Sequence, residues 1–301
     1  MKTIDHLADN MAEERAPSNL ETLARSIAER RVILFAGAGL SISLGLPSWR
    51  DLIDNMCVAV GLDPNGIAGA DSYRTLAEYY RLKQGNVESL RRWMDQSWAS
   101  SRDRVLRSPI HKLVIELDFP IIYTTNYDRN FETAYEAHGK PYVKIANARD
   151  LARVTPDATQ IIKFHGDFDD ETSLVITETD YFNRLRFDSP LDVKFRADAL
   201  GKSVLFVGYS MSDMNIRFLL HWLWRTWQES GYREDRPPSF IFMTHENEME
   251  AAVLRQWGVV ALVGNRPDPE QAVGGFLEDL VARSRAALSG RGDVCQRDLH
   301  D

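Results

Sequence analysis

The sequence predicts an α/β protein built on a doubly wound, Rossmann-like parallel sheet, and two features of the chain indicate this fold. Short apolar runs rich in β-branched and aromatic residues alternate with longer segments of helical periodicity along the 301 residues. Each run is nearly continuous in apolar character, as expected for strands that helices cover on both faces. Sheets of this kind bind ligands at the carboxyl ends of their strands.

The predicted elements follow one another in a regular order. The spacing of Ser18 and Glu21 matches a capping box and predicts the start of the first helix. The predicted strands are Val32–Ala36, Ile121–Thr125, Gln160–His165, Ser203–Gly208, Ser239–Thr244 and Val259–Val263. The predicted helices of the main fold are Leu20–Arg30, Trp49–Val60, Tyr127–His138, Asp213–Gln228, Glu246–Trp257 and Glu270–Leu288.

The stretch from about 61 to 118 breaks the alternation, because three helical patterns follow one another there without a strand. They are Ser72–Lys83, Val87–Ser97 and Pro109–Leu117. We interpret this stretch as a helical insertion that forms a small second lobe. The chain then divides into an N-terminal helical segment (1–30), a main domain (31–288) that contains the insertion, and a polar, flexible tail (289–301).

Composition excludes several classes of function. The formal charge of −8 argues against direct, non-specific nucleic-acid binding, which needs a basic surface. No apolar run approaches the ~18–20 residues that span a bilayer, and the N-terminus lacks a signal-peptide core, so we expect a cytoplasmic protein without membrane contact. The two cysteines, Cys57 and Cys295, lie far apart, which fits a reducing compartment and excludes a four-cysteine zinc site within this chain. No histidines pair at metal-ligand spacing, so no metal is expected.

Two glycine-containing segments follow the first strand. Gly37, Ala38, Gly39 and Ser41 form a loop whose backbone can approach a pyrophosphate closely and offer its amides, or else a simple tight turn. A second segment, Gly45-Leu46-Pro47-Ser48-Trp49-Arg50, predicts a turn with Ser48 as the cap of the next helix. Its Pro47, Trp49 and Arg50 are either ligand-binding or, for Trp49, core packing.

Polar residues also follow three later strands. Thr125, Asn126 and Asp128 come after the second, where Asn126 can orient a ribose hydroxyl or a water, and Asp128 either accepts from a carboxamide or caps the next helix. His165, followed by Gly166, ends the third predicted strand and is a candidate general base, although a lone histidine is often structural. Gly208 and Ser210 come at the end of the fourth predicted strand, and Ser210 can contact a ribose there.

Taken together and in this order, these segments resemble the sirtuin-like superfamily of NAD-consuming proteins. Gly37–Ser41 with Gly45–Arg50 resembles the family's G-A-G-[IL]-S…G-[IL]-P-D-F-R loop, and Thr125–Asp128 is similar to its T-Q-N-x-D motif. His165-Gly166 matches the catalytic His-Gly, and Gly208–Ser210 stands where the family has Gly-Thr-Ser. The resemblance spans roughly 32–213 and implies a Rossmann-like fold with NAD as substrate.

Departures from the deacylase pattern indicate a particular branch. The zinc module of sirtuin deacylases is absent, since no cysteine lies between His165 and Gly208, and Ser48 and Trp49 replace an Asp-Phe pair. The segment from Val207 to Arg217 resembles instead the bacterial branch of anti-phage defence, whose members hydrolyse NAD after a partner senses infection. This implies an abortive-infection effector, with a separate sensor that is a HerA-type ATPase, which we favour, or a short Argonaute.

The resemblance implies roles for the candidate residues. Asn126 and His165 become catalytic, Asn126 by orienting ribose and water and His165 by accepting a proton; the loop amides hold the pyrophosphate, and Trp49 and Arg50 close over the site. The alternatives are ADP-ribosyl transfer and a non-catalytic NAD or ADP-ribose sensor. The tryptophans Trp222, Trp224 and Trp227 lie beside leucines, as core packing or as a face for homo-oligomer formation.

Overall fold

Seven parallel strands form one sheet in the order β3-β4-β2-β1-β5-β6-β7. The computed structural model describes residues 17–41, 44–67, 70–170, 173–209, 211 and 214–297, without the side chains of Trp49, 70–72 and 290–297. The strands are β1 (Val32–Ala36), β2 (Ile121–Thr124), β3 (Tyr142–Ile145), β4 (Thr159–Lys163), β5 (Ser203–Val207), β6 (Ser239–Met243) and β7 (Val259–Val263). This confirms the predicted fold class.

Thirteen α-helices accompany the sheet in the described part of the chain. Ser18 and Glu21 form the predicted capping box at the start of the first helix. The helices are α1 (Asn19–Ala28), α2 (Trp49–Val60), α3 (Ala70–Gln84), α4 (Glu88–Ser97), α5 (Arg102–Arg107), α6 (Pro109–Leu117), α7 (Asn130–Ala137), α8 (Ala148–Leu151), α9 (Glu178–Arg184), α10 (Pro190–Gly201), α11 (Met214–Ser230), α12 (Glu248–Gln256) and α13 (Pro269–Arg297).

The strand period of two divides the buried residues between the two faces of the sheet. In β1, Val32, Leu34 and Ala36 pack into a core with residues of α1, α6, α7 and α13. Ile33 and Phe35 point to the opposite face, into a core with residues of α10, α11 and α12. All five residues of β1 are buried, which explains why the run is continuously apolar.

The helices of the predicted insertion (about 61–118) divide between two cores. Side chains of α2, α3 and α4 form a third core together with Tyr127 and Phe168, which follow β2 and β4. Val105 of α5 and Ile110 of α6 instead belong to the first core, against the sheet. Within the predicted insertion, α5 and α6 thus pack against the sheet, whereas α3 and α4 pack in the third core.

Three further elements differ from what the sequence predicts. The strand β3 is missed because it is an edge strand that pairs with β4 and carries a lysine in a half-buried run. The helix α10 is missed although its buried Leu191, Phe195 and Ala199 recur every four residues. The segment predicted as a flexible tail from 289 begins as helix, since α13 continues to Arg297 with no proline after Pro269 to end it. Residues 1–16 and 298–301 lie outside the described chain.

None of the described helices is both long enough and apolar enough to cross a bilayer. The tryptophan-rich helix α11 packs against the sheet. Its Leu219, Leu220 and Leu223 are buried in the second core, whereas Trp222 is partly buried and packs at the margin of that core.

Replacing Phe35 by alanine should lower the free energy of unfolding by about 3–5 kcal/mol, the usual cost of deleting a buried ring. Phe35 is fully buried, with its ring centroid 5.1 Å from that of Phe206 and 5.6 Å from that of Phe195. Denaturant unfolding measures the change. The control is Phe182→Ala, at a side chain that is 60% exposed, which should stay within about 0.5 kcal/mol of the parent. Equal losses in the two variants would contradict the assignment of Phe35 to the core.

Candidate active site

The candidate site lies where the sheet reverses its strand order. The strand β1 pairs with β2 on one side and with β5 on the other, so the loops that follow β1 and β5 leave a crevice at the carboxyl edge. The glycine loop (37–41) follows β1 and Gly208 follows β5. Asn126 and His165 follow the neighbouring strands β2 and β4 along the same edge.

Glycine is required in both loops because their backbones touch. A Cβ on Gly37 would lie 2.2 Å from the carbonyl oxygen of Gly208, and one on Gly39 would lie 2.6 Å from its Cα. Gly208 itself has φ of +67°, the left-handed region that favours glycine. Residues with side chains in these three positions would separate the loops.

The backbone amides of the glycine loop donate mostly to protein carbonyls. The Gly37 N–H donates to the carbonyl of Val207 and the Gly39 N–H to that of Gly208, each at 2.9 Å. Within the loop, the Leu40 N–H donates to Gly37 and the Ser41 N–H to Ala38. Four of the five loop amides thus donate to protein carbonyls, because a loop packed this tightly must satisfy its own polar groups. The glycines therefore serve the contact between the loops, and the binding of a pyrophosphate by this loop stays a prediction.

Asn126 is tied to the glycine loop. Its Nδ2 donates to the Gly37 carbonyl at 3.1 Å, and its backbone N–H donates to the Thr124 hydroxyl at 3.0 Å. That hydroxyl in turn donates to the Ala36 carbonyl at 3.0 Å. The Asn126 amide is half-buried and fixed in orientation, with its Nδ2 committed to protein.

Asp128 is held by protein groups through both carboxylate oxygens. Its Oδ2 accepts from the Ser41 hydroxyl at 3.1 Å, and its Oδ1 accepts from the Asn130 N–H at 3.0 Å, at the start of α7. The Asn130 side chain also donates to the Ser41 hydroxyl. A buried carboxylate needs such partners. The Asn130 bond forms a short turn that leads into α7, whose N-cap is Arg129, and the other carboxylate oxygen gives Ser41 a partner within the protein.

His165 is buried, with 4% of its surface exposed. Its carbonyl accepts from the Val175 N–H at 2.9 Å, so the chain folds back on itself after Gly166. Gly166 permits this return, because its φ is +92° and a Cβ there would lie 2.2 Å from the Ser173 carbonyl oxygen. The Tyr181 ring packs edge-to-face on the imidazole, with ring centroids 5.5 Å apart. The imidazole is therefore held in one place.

The helical lobe (α3 and α4) contacts the segment that folds back after Gly166 and carries Tyr181. The Tyr73 hydroxyl lies 3.3 Å from the Tyr181 hydroxyl, and the Arg74 guanidinium stacks over the Tyr181 ring at 4.6 Å. Glu78 accepts from the Thr179 N–H at 3.0 Å. Burial alone would raise the pKa of Glu78, but hydrogen bonds from Arg81 and Thr179 outweigh it and hold that pKa at about 2. The lobe thus contacts His165 through Tyr181.

The remaining candidates are less closely joined to this group. The Ser48 side chain caps α2 in a capping box with Asp51, as predicted. Gly45 has φ of +62° and Pro47 is half-buried in the turn before α2, whereas Arg50 pairs with Asp54 at 2.9 Å on the exposed face of that helix. Thr125 is half-buried. The Trp49 side chain and Ser210 lie outside what the structure describes.

The sequence did not identify two cations near His165, of which one is buried and one is partly buried. Lys163, the last residue of β4, is fully buried, and its Nζ donates to the Asp128 carbonyl. Arg184 donates through Nη1 to the Phe164 carbonyl at 2.7 Å and pairs with the buried Asp192. Lys163 did leave a signal, because a charge inside an otherwise apolar strand demands a partner.

His111 is a third missed residue. Its Nδ1 lies 2.8 Å from the Ser108 hydroxyl, and its ring packs against Phe131. Burial lowers the pKa of His111 to about 4, although the charge of Asp128 acts in the opposite direction. The imidazole is therefore neutral at physiological pH. Across the described residues, no group of three or more His, Cys, Asp or Glu side chains is arranged to hold a metal ion.

Comparison with known proteins gives a consistent picture. Residues 120–262 match the family model described as a SIR2-like domain. The chain is 32% identical over 223 residues to NAD(+) hydrolase ThsA of Enterococcus faecium, covering 71% of this chain and 45% of that protein. It is 26% identical over 286 residues to NAD(+) hydrolase ThsA of Bacillus cereus strain MSX-D12, covering 90% and 59%. Defense-associated sirtuin 2 of Bacillus subtilis is 23% identical, covering 77% and 22%.

The chain thus spans less than two thirds of the length of these curated relatives. Among solved structures, a Sir2 homologue in complex with NAD aligns over 89% of this chain and 94% of its own, with a TM-score of 0.48 and 14% sequence identity.

Replacing Gly208 by alanine should lower the free energy of unfolding by about 2 kcal/mol or more, from left-handed strain and overpacking together. The added Cβ would lie 2.7 Å from the Leu40 nitrogen. Gly139→Ala is the matched control, because Gly139 also has a positive φ, of +64°, but open space around its Cβ. The excess loss in the Gly208 variant, measured by denaturant unfolding, reports the contact between the loops. Equal losses would refute that contact.

Acidification should weaken the fold through His111. Between pH 6.5 and about 4 the unfolded chain binds a proton that the buried imidazole does not, so the free energy of unfolding falls with pH by at most ~1.4 kcal/mol per unit. His111→Gln should flatten this slope in unfolding measured from pH 4 to 7. The exposed-histidine variant His245→Asn should keep the parent slope. An unchanged slope in the His111 variant would disprove the linkage.

Proposed function

Because this chain belongs to the SIR2-like family, we propose that it is an NAD hydrolase that cleaves the nicotinamide–ribose bond to give nicotinamide and ADP-ribose. The observation that carries the proposal is the register of β2 and β4. Thr124 pairs with Lys163 in that register, and Asn126 and His165 each follow their paired residue by two positions. The two polar side chains therefore start from adjacent points on the edge where such sheets bind nucleotides.

Cleavage of the nicotinamide–ribose bond needs no general acid. The nicotinamide of NAD is cationic, so when its bond to ribose C1′ breaks, the electron pair goes to the ring nitrogen and the leaving group departs neutral. Water then adds to C1′ and loses one proton. The protein has to orient the ribose, stabilise positive charge that develops there, and accept that proton.

We assign the first of these tasks to Asn126 and the last to His165. Asn126, oriented by its bond to Gly37, uses Oδ1 to accept from a ribose hydroxyl or from the attacking water. The His165 imidazole, steadied by Tyr181, accepts the proton. These two groups must also be held in position, because misalignment by about 1 Å can lower the reaction rate by ~10²-fold.

The rest of the dinucleotide is assigned to the rim of the crevice. With most glycine-loop amides engaged, we propose that the pyrophosphate lies along the outer side of that loop, at exposed Ala38 and half-buried Gly39. Ser210 remains the candidate for a ribose contact. Thr125, Pro47, Trp49 and Arg50 are proposed to border the nicotinamide end, and Arg50 would have to leave Asp54 to close over it.

We further propose a cytoplasmic role as the NAD-depleting effector of an anti-phage system, in which the infected cell is sacrificed. The name of the defence-associated relative supports the defence role, and the names of the ThsA relatives support NAD hydrolysis. A HerA-type ATPase is the favoured separate activator and a short Argonaute the alternative. Self-association is supported by exposed apolar side chains on α11, where Met214 is 59% and Phe218 49% exposed.

Replacing His165 by alanine should reduce nicotinamide release by about 10²–10⁴-fold while NAD still binds, because the variant lacks the proton acceptor. Mass spectrometry of NAD, nicotinamide and ADP-ribose measures turnover in bacteria that express the full chain with its encoded neighbour. Calorimetry on the purified chain measures binding. His245→Asn, at an exposed histidine, should behave as the parent does.

The products separate the alternatives. Free ADP-ribose indicates hydrolysis, whereas a stable ADP-ribosyl adduct indicates transfer to an acceptor. Binding of NAD without nicotinamide release under every activating condition would identify a non-catalytic sensor. Undiminished turnover in the His165 variant would remove that residue from the mechanism.

A further inference from the structure

Lys163 is a buried cation that the proposed mechanism does not use. It closes β4 two residues before His165, and none of its surface is exposed. Its Nζ lies 3.5 Å from Oε1 of Glu132 and donates to the backbone carbonyl of Asp128. Glu132 lies on α7 and is itself buried, with 5% of its surface exposed.

This contact joins the two loops of the candidate reacting centre. The β2–β4 ladder ends at the pairing of Thr124 with Lys163, followed by one bond from the Phe164 N–H to the Thr124 carbonyl. Beyond that point the Asn126 N–H bonds back to Thr124 and the Gly166 N–H to Lys163, while the Tyr127 hydroxyl donates across to the Val175 carbonyl at 2.6 Å. The Lys163 ammonium then spans from the end of β4 to Asp128, two residues after Asn126.

Burying the Lys163–Glu132 ion pair costs free energy, so stability alone does not explain why the pair is present. Two charges lose their hydration in the interior, and apolar side chains of similar volume often stabilise a fold better. Burial raises the pKa of Glu132, and the Lys163 charge acts against that rise. An ammonium can nevertheless make a bond that an aliphatic side chain cannot, to a carbonyl on a neighbouring loop.

We propose that Lys163, with Glu132 as its counter-charge, is a positioning residue that holds the Asn126–Asp128 loop at a fixed distance from His165. The inference rests on the proposed NAD cleavage for its effect on rate. The hold on the loop itself rests on the contacts alone. Loss of the ammonium leaves both candidate catalytic side chains in the protein but removes the Lys163 contact between their segments, so that other contacts, such as the bond from the Tyr127 hydroxyl to the Val175 carbonyl at 2.6 Å, have to hold them.

The test uses a variant without either charge, Lys163→Met with Glu132→Gln, so that no lone buried charge unfolds the protein. We expect kcat for nicotinamide release to fall about 10- to 100-fold with little change in KM, because alignment matters most in the transition state. Glu132→Gln alone keeps the bond from Lys163 to Asp128 but leaves the ammonium without its counter-charge, so its kcat is compared per folded protein and should exceed that of the double variant.

The matched control is Lys194→Met with Asp198→Asn, a second Lys–carboxylate pair, 2.9 Å apart on α10. It should lower thermal stability without the loss in kcat. Amide hydrogen exchange gives a readout independent of turnover. Exchange across residues 125–130 should quicken in the Lys163/Glu132 variant and stay at the parent rate in the control.

Parent-like kcat and parent-like exchange at 125–130 in a folded Lys163/Glu132 variant would overturn the proposal. So would a loss in kcat that merely follows the fraction of unfolded protein. If the parent chain released no nicotinamide, the proposed function would fail by itself, and the exchange data would still support or overturn the hold of Lys163 on the loop.

Discussion

The contact between two backbones, at Gly37 and Gly39 on one side and Gly208 on the other, underlies the arrangement of the whole site. The loops after β1 and β5 leave the sheet where its strand order reverses, and they touch without side chains between them. The Gly37 carbonyl, fixed by this contact, then receives the Asn126 amide. Ser41, further along the same loop, receives Asp128. A side chain at any of the three glycines would shift all of these groups together.

A second layer of polar contacts fixes the neighbouring edge. Lys163 links the end of β4 to the Asp128 carbonyl, and Arg184 holds the Phe164 carbonyl just before His165. Both cations lie beneath or beside the candidate catalytic residues. Such partners are common around reacting groups, since a side chain acts precisely only when its own support is rigid.

The helical lobe contributes to the candidate site through direct contacts with the segment that folds back after Gly166. Its α3 presents Tyr73 and Arg74 to Tyr181, and Tyr181 packs on the His165 ring. Its α4 presents Arg91, which donates to the Phe168 carbonyl at 2.7 Å on the same returning segment. The insertion and the histidine therefore share one packed unit, and a shift of α3 would be felt at the imidazole.

Local patterns in the sequence determined every strand of the sheet except β3, most helix positions and the edge at which the polar motifs meet, because strand burial and glycine turns leave short-range signals. They did not determine what each polar group bonds to. The sequence left open whether the loop faces a pyrophosphate or is a simple tight turn, and whether Asp128 binds a carboxamide or caps a helix; in the structure both mainly bond to protein groups. Lys163, Arg184 and Tyr181 gain their roles from residues that are distant in the chain. Only the tertiary structure decides such partners, because a buried polar group bonds to whatever the packing brings within about 3 Å.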